Sequence, residues 1–121
     1  MKKIVLTIFL FLYNCETNSV SRFSNYPTLA DGNSDIGVQV FLRPSGISST
    51  CDINLTLFNR TTYNFNSLFV EITVFSGSNI NIGTVRFLEK LSSKQTLQRK
   101  SLFTGSDCLK IKDLKLTSLK Y

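Results

Sequence analysis

Residues 67–87 read SLFVEITVFSGSNINIGTVRF, and the fold turns on how this stretch is read. Leu68, Val70, Ile72 and Val74 alternate with Phe69, Glu71, Thr73 and Phe75, a period-2 pattern rich in β-branched residues. Ser76-Gly77-Ser78-Asn79 gathers turn formers, and Gly and Asn take positive φ at little cost. Ile80 and Ile82 resume the alternation, and Val85 and Phe87 complete it one residue out of phase, which predicts a β-bulge at Gly83. The stretch is a β-hairpin. Its first strand is aliphatic on one face and carries Phe69 and Phe75 on the other, which suits a strand with neighbours on both sides, in the middle of a sheet.

The chain on either side follows the same period. Upstream, Cys51 to Asn59 places Cys51, Ile53, Leu55 and Leu57 on one face and Asp52, Asn54 and Thr56 on the other, the alternation of an antiparallel sheet with one wet side. Gly37 to Leu42 is a shorter strand ended by Arg43-Pro44-Ser45-Gly46. Downstream, Leu88 to Thr96 is expected to be a connection with one helical turn, and Leu97 to Phe103 a strand. The segment from Cys108 to Leu116 alternates apolar and basic residues, with a phase slip at Asp113 that suggests a second bulge. Short strands separated by turn signals indicate an all-β protein, an immunoglobulin-like antiparallel β-sandwich of six or seven strands.

The first fifteen residues, MKKIVLTIFLFLYNC, have the form of an export signal: Lys2 and Lys3 precede the apolar run from Ile4 to Tyr13. That run is too short for a helix spanning a bilayer core of about 30 Å. Leu12-Tyr13-Asn14-Cys15 resembles a bacterial lipobox, which implies lipidation of Cys15; an ordinary secretory signal cut near Thr17-Asn18-Ser19 is the competing reading. Residues 16–36 are polar and without period, a linker, so the expected layout is signal 1–15, linker 16–36 and β-sandwich 37–121. In an exported chain the default for Cys51 and Cys108 is a disulfide, which would stabilise the fold by about 4 kcal/mol in the chain-entropy model.

The net charge is +6, and from residue 84 onward nine Lys and Arg stand against Glu89, Asp107 and Asp113. Arg86, Arg99, Lys100, Lys110, Lys112 and Lys115 are the candidate basic surface, suited to an anionic membrane. No nucleic-acid motif accompanies them, so nucleic acid is not an expected partner. The chain has no His, which excludes Ser-His-Asp and Cys-His nucleophiles and every His-containing metal site. Two cysteines without a CxxC pair give too few ligands for zinc, and no cofactor is expected. A hydrolase would need at least two of Glu71, Glu89 and Asp107 in one pocket. Asn54-Leu-Thr56 and Asn59-Arg-Thr61 match the N-glycosylation pattern. Phe58, Phe65, Phe69 and Phe75 are candidates for an exposed docking surface.

Residues 51–116 resemble small exported bacterial β-sandwich domains of the FxLYD-like kind. The resemblance rests on Asn59-Arg60-Thr61-Thr62 after a strand, on the Ser76-to-Asn79 hairpin turn, and on the loop from Leu91 to Thr96. Phe75-Ser76 stands where that family has Tyr-Asp, and Cys108-Leu-Lys-Ile is similar to a strand start in short exported proteins. It implies a fold and an extracytoplasmic setting, periplasmic or outer-membrane-associated, and carries over no catalytic residue. The expectation is a non-enzymatic protein-interaction or assembly module of the bacterial cell envelope or a secretion system. It would bind an envelope protein, with membrane attachment through lipid or the basic surface. The alternative is a secreted effector acting on a host partner. Fatty-acid labelling of Cys15 separates the two.

Overall fold

The computed structural model describes residues 26–121. The signal, Cys15 and the first part of the polar linker lie outside the described residues. Seven strands follow in order: β1 (Leu29–Gly32), β2 (Ile36–Pro44), β3 (Cys51–Asn59), β4 (Phe65–Ser76), β5 (Ile80–Leu91), β6 (Thr96–Phe103) and β7 (Asp113–Lys120). They form a four-stranded sheet, β1-β2-β3-β6, and a three-stranded sheet, β5-β4-β7, antiparallel throughout. The protein is an all-β sandwich.

The alternation read in residues 67–87 fixes the interior. Leu68, Val70, Ile72 and Val74 are fully buried, and β4 is the middle strand of its sheet. Ile36, Val38, Val40 and Leu42 of β2 and Ile53, Leu55 and Leu57 of β3 face them from the other sheet. Each such side chain contributes about 1.5–3 kcal/mol on burial. The hairpin turns through a 3-10 turn at Gly77–Asn79, with Asn79 at φ 61°. The bulge falls where the phase slips, because Val74 pairs with Gly83 while Phe75 pairs with Asn81, leaving Ile82 extra. Gly83 has φ 151°, and the Phe103 ring lies 2.8 Å from where a Cβ would sit, so glycine is required twice over.

Three expectations need correction. The polar linker does not extend to residue 36: Leu29–Gly32 pairs with β2, and Ile36 is fully buried. The alternation of residues 28–35 is too short to announce a strand, and β1 exists because β2 offers it a template. No helical turn interrupts the segment after Phe87, where β5 runs on to Leu91 and a tight turn leads into β6. Cys108 does not open a strand; it begins a 3-10 turn, Cys108–Lys110, and β7 starts at Asp113. The phase slip at Asp113 is therefore a strand boundary, and the irregularity of β7 lies further on, opposite Glu71 and Ile72.

The two ends of the sandwich are built differently. At one end, Cys51 and Cys108 form a disulfide with Cα atoms 5.0 Å apart. At the other, Asn59 is fully buried yet polar. Its Nδ2 donates to the carbonyls of Tyr63 at 2.7 Å, Ser92 at 3.0 Å and Leu91 at 3.3 Å. Its Oδ1 accepts from the Thr61 backbone N–H at 2.9 Å and the Thr61 hydroxyl at 2.7 Å. One side chain thus ties the β3–β4 connection to the β5–β6 turn across the two sheets.

Candidate functional site

Strand register sorts the basic residues onto separate surfaces. Lys100 lies on the outer face of the four-stranded sheet beside Asn54, with its Nζ 3.9 Å from Asp52. Arg86 and Lys115 lie on the outer face of the three-stranded sheet, across β4 from one another. Lys110 and Lys112 belong to the connection at the disulfide end. Arg99 points toward the gap between the sheets, in the same row of β6 as Leu97, Ser101 and Phe103. Its Nε donates to Glu89 Oε1 at 3.1 Å, and Glu89 occupies the matching inward row of edge strand β5. Inward charges on two edge strands close that side of the sandwich and blunt both edges. The six residues therefore do not share one sheet face, and Arg99 serves the fold.

The carboxylates are likewise dispersed. Glu71, on the outer face of β4, receives the Thr117 hydroxyl at 2.8 Å and the Arg86 guanidinium at 2.9 Å. These bonds, the Thr117 bond first, hold its carboxyl below the ordinary glutamate range. Glu89 is paired at the opposite edge, and Asp107 stands beside the disulfide. Glu89 and Asp107 line separate hollows. Among the described residues, no three of Cys, Asp and Glu gather to hold a metal ion. Asn59, half of one glycosylation pattern, is turned fully inside and offers its amide to no outside chemistry.

Past β1, the opposite side of the sandwich closes on an aromatic hydroxyl. Tyr121 donates to Asp35 Oδ2 at 2.8 Å and accepts from Asn33 Nδ2 at 3.1 Å, while its ring packs 4.7 Å from Phe65. The bond to Asp35 raises the Tyr121 hydroxyl above its ordinary pKa.

What remains open is the outer face of the four-stranded sheet. Register places Gln39, Thr56 and Gln98 in one row across β2, β3 and β6, with Phe41, Asn54 and Lys100 in the next. Phe41 and Phe58 are 37% and 38% exposed and frame these rows on adjacent strands. A shallow cleft of about 520 Å³ lies beside Phe58, bounded by Asp31 and Arg60, and one of about 260 Å³ lies beside Phe41 and Gln98. Of the phenylalanines singled out in the sequence, Phe58 is on this face, whereas Phe65, Phe69 and Phe75 are half-buried elsewhere. Phe41 escaped notice because it looks like one more apolar residue of a short strand; only the pairing of β2 with β3 shows that it points outward. The alternation of Asp52, Asn54 and Thr56 had marked this side as wet.

Comparison of the chain with protein-family models, with curated proteins and with solved structures gives no match. The site is read from its own chemistry.

Proposed function

We propose that this chain is a non-catalytic exported β-sandwich, a protein-interaction or assembly module of the bacterial cell envelope or of a secretion system. The observation that carries the reading is the Cys51–Cys108 disulfide, because such bonds persist in oxidising, extracytoplasmic compartments and are rare in the cytosol. The signal-like start of the chain and the resemblance to exported FxLYD-like domains point the same way.

The binding surface in this reading is the amide-and-phenylalanine face around Gln39, Phe41, Thr56, Phe58 and Gln98. Flat sheet faces with a few aromatic anchors among hydrogen-bonding groups suit protein docking, where aromatics supply most of the binding energy. A photo-crosslinking side chain placed at Gln98 should capture one envelope protein in living cells, and the same probe at Thr84, on the opposite sheet, should not. Capture from Thr84 and not from Gln98 would overturn the choice of face. A full-length chain found reduced and unprocessed in the cytosol would overturn the compartment and the module with it.

A further inference from the structure

The disulfide end carries a surface that the sheet faces do not share. The β2–β3 turn is held by the Thr50 hydroxyl, which donates to the Ile47 carbonyl at 2.7 Å, and by the contact between the Ser45 and Thr50 hydroxyls. This rigid turn leaves Ile47 61% exposed. Leu109, in the 3-10 turn that follows the disulfide cysteine, is 66% exposed, and Ile80, at the start of β5, is 58% exposed. All three lie at the same end: Ile47 and Leu109 line one shallow hollow, and the turn before Ile80 lies against Lys112. Beside them stand Lys110 and Lys112, which have no acidic partner among the described residues, and Lys115 follows on the adjoining sheet face with its ammonium 5.1 Å from the Phe75 ring centre. Three carboxylates share this end: Asp52, which faces Lys100, and Asp107 and Asp113. All are half-buried, and Asp113 Oδ1 accepts the Leu114 backbone N–H at 2.8 Å. The protruding groups are therefore aliphatic and cationic.

The chain also enters the domain at this end. Tyr26 lines the same hollow as Ile47 and Leu109. Residues 16–25 separate it from Cys15 and the apolar run, a length that reaches about 35 Å at most. An anchor at the start of the chain, by lipid or by its apolar run, therefore holds this end within that distance of the bilayer.

From these observations we infer that the disulfide end is a membrane-docking tip, in which Ile47, Leu109 and Ile80 enter the headgroup region of an anionic bilayer. Lys110, Lys112 and Lys115 then meet its phosphates. The inference rests on the envelope reading for its membrane, and it adds an orientation: the amide-and-phenylalanine face stands perpendicular to the bilayer, open to a partner. Apolar insertion supplies binding that salt does not screen, and the lysines supply the preference for negative lipid.

The chain has no tryptophan, so a single introduced indole reports its own surroundings without background. Purified full-length Leu109→Trp and, independently, Ile47→Trp should shift their emission to shorter wavelength with vesicles of three parts phosphatidylcholine to one part phosphatidylglycerol. Tyr63→Trp, at the exposed turn of the other end, should not shift. On the Leu109→Trp background, Lys110→Gln with Lys112→Gln should weaken partitioning about twenty-five-fold, about fivefold per lysine. Equal shifts at both ends, no shift at Leu109 and Ile47, or an equal response to pure phosphatidylcholine vesicles would each overturn the tip. The assay is independent of export. A processed envelope protein with silent tip probes loses the tip and keeps the module, whereas a cytosolic, reduced chain loses the module whatever the vesicles report.

Discussion

At the Asn59 end, five hydrogen bonds from one buried amide hold two connections together. At the opposite end, a covalent bond between Cys51 and Cys108 does the equivalent work. A hydrogen-bonded closure has to turn its polar groups inward and use the surrounding loops as partners, so those loops are committed to the fold. A covalent closure needs nothing from its neighbours. The loops beside the disulfide are free to present Ile47, Leu109, Lys110 and Lys112 outward. Small domains bury too little surface to rely on their core alone, and here the staple also releases a surface for other use.

The sharpest way to break this comparison is to cut the covalent end. Replacing both cysteines, Cys51→Ser with Cys108→Ser, should cost about 4 kcal/mol by the entropy of a 57-residue loop. For a domain of this size that is a fall in Tm of about 15–30 °C, readable by circular dichroism under oxidising conditions. Reductant should lower the Tm of the native chain comparably and leave the variant unmoved. An unchanged Tm would mean that the disulfide end is held by its packing.

Cutting the hydrogen-bonded end comes next. Asn59→Ala leaves the carbonyls of Tyr63, Leu91 and Ser92 and the Thr61 N–H short of their partner and should cost about 3 kcal/mol in chemical denaturation. Asn59→Asp should be worse at neutral pH, since a carboxylate would face three carbonyl oxygens. A buried carboxyl of that kind has a raised pKa in the folded state, so its protonated form fits best and the variant should regain stability as pH falls. If Asn59→Asp is as stable as the native chain at pH 7, the knot is not what closes this end.

The difference between the ends was only partly legible in the sequence. The strands β3, β4 and β5 announced themselves through period-2 alternation, and the Cys51–Cys108 pair through the expectation of export. Asn59 read as a turn residue and as part of a glycosylation pattern, because nothing local distinguishes a solvated Asn from one whose partners lie 32 and 33 residues away. Arg99 was placed with the surface charges for the same reason: its inward direction follows from β6 pairing with β3, a contact across more than forty positions. Strand order itself, with β6 beside β3 and β7 beside β4, has no local signature at all. The tip was invisible because Cys108 to Leu116 alternates like one strand, when its first part is a 3-10 turn that aims Leu109 outward.

The sides between the ends offer a smaller test. Arg99→Val removes an ion pair worth about 0.2–1 kcal/mol and puts an apolar residue on the inward row of an edge strand. Thermal stability should hardly change, while self-association rises, because the charge that blunted the edge is gone. Light scattering at increasing concentration would read this. A variant that melts several degrees lower yet stays monomeric would show that the pair stabilises the fold and does not guard an edge.

The smallest effect is also the most local, because it rests on one hydroxyl at the hydrogen-bonded end, that of Tyr121. Tyr121 holds its proton more tightly folded than unfolded, through its bond to Asp35, whose backbone carbonyl in turn accepts the Arg60 N–H at 2.8 Å. A raised pKa means that the stabilisation is complete below the unfolded value of about 10 and is lost as pH rises through the folded value above it. Amide exchange at Arg60 should therefore accelerate above pH 10 beyond the intrinsic base catalysis seen in unfolded reference peptides. Exchange on the buried half of β3 next to Cys51 should follow the intrinsic rate alone. In Tyr121→Phe the excess at Arg60 should be present at neutral pH and show no further step above pH 10. Were the excess to appear equally at both ends, alkali would be loosening the whole sandwich, and the two closures would not be separate units.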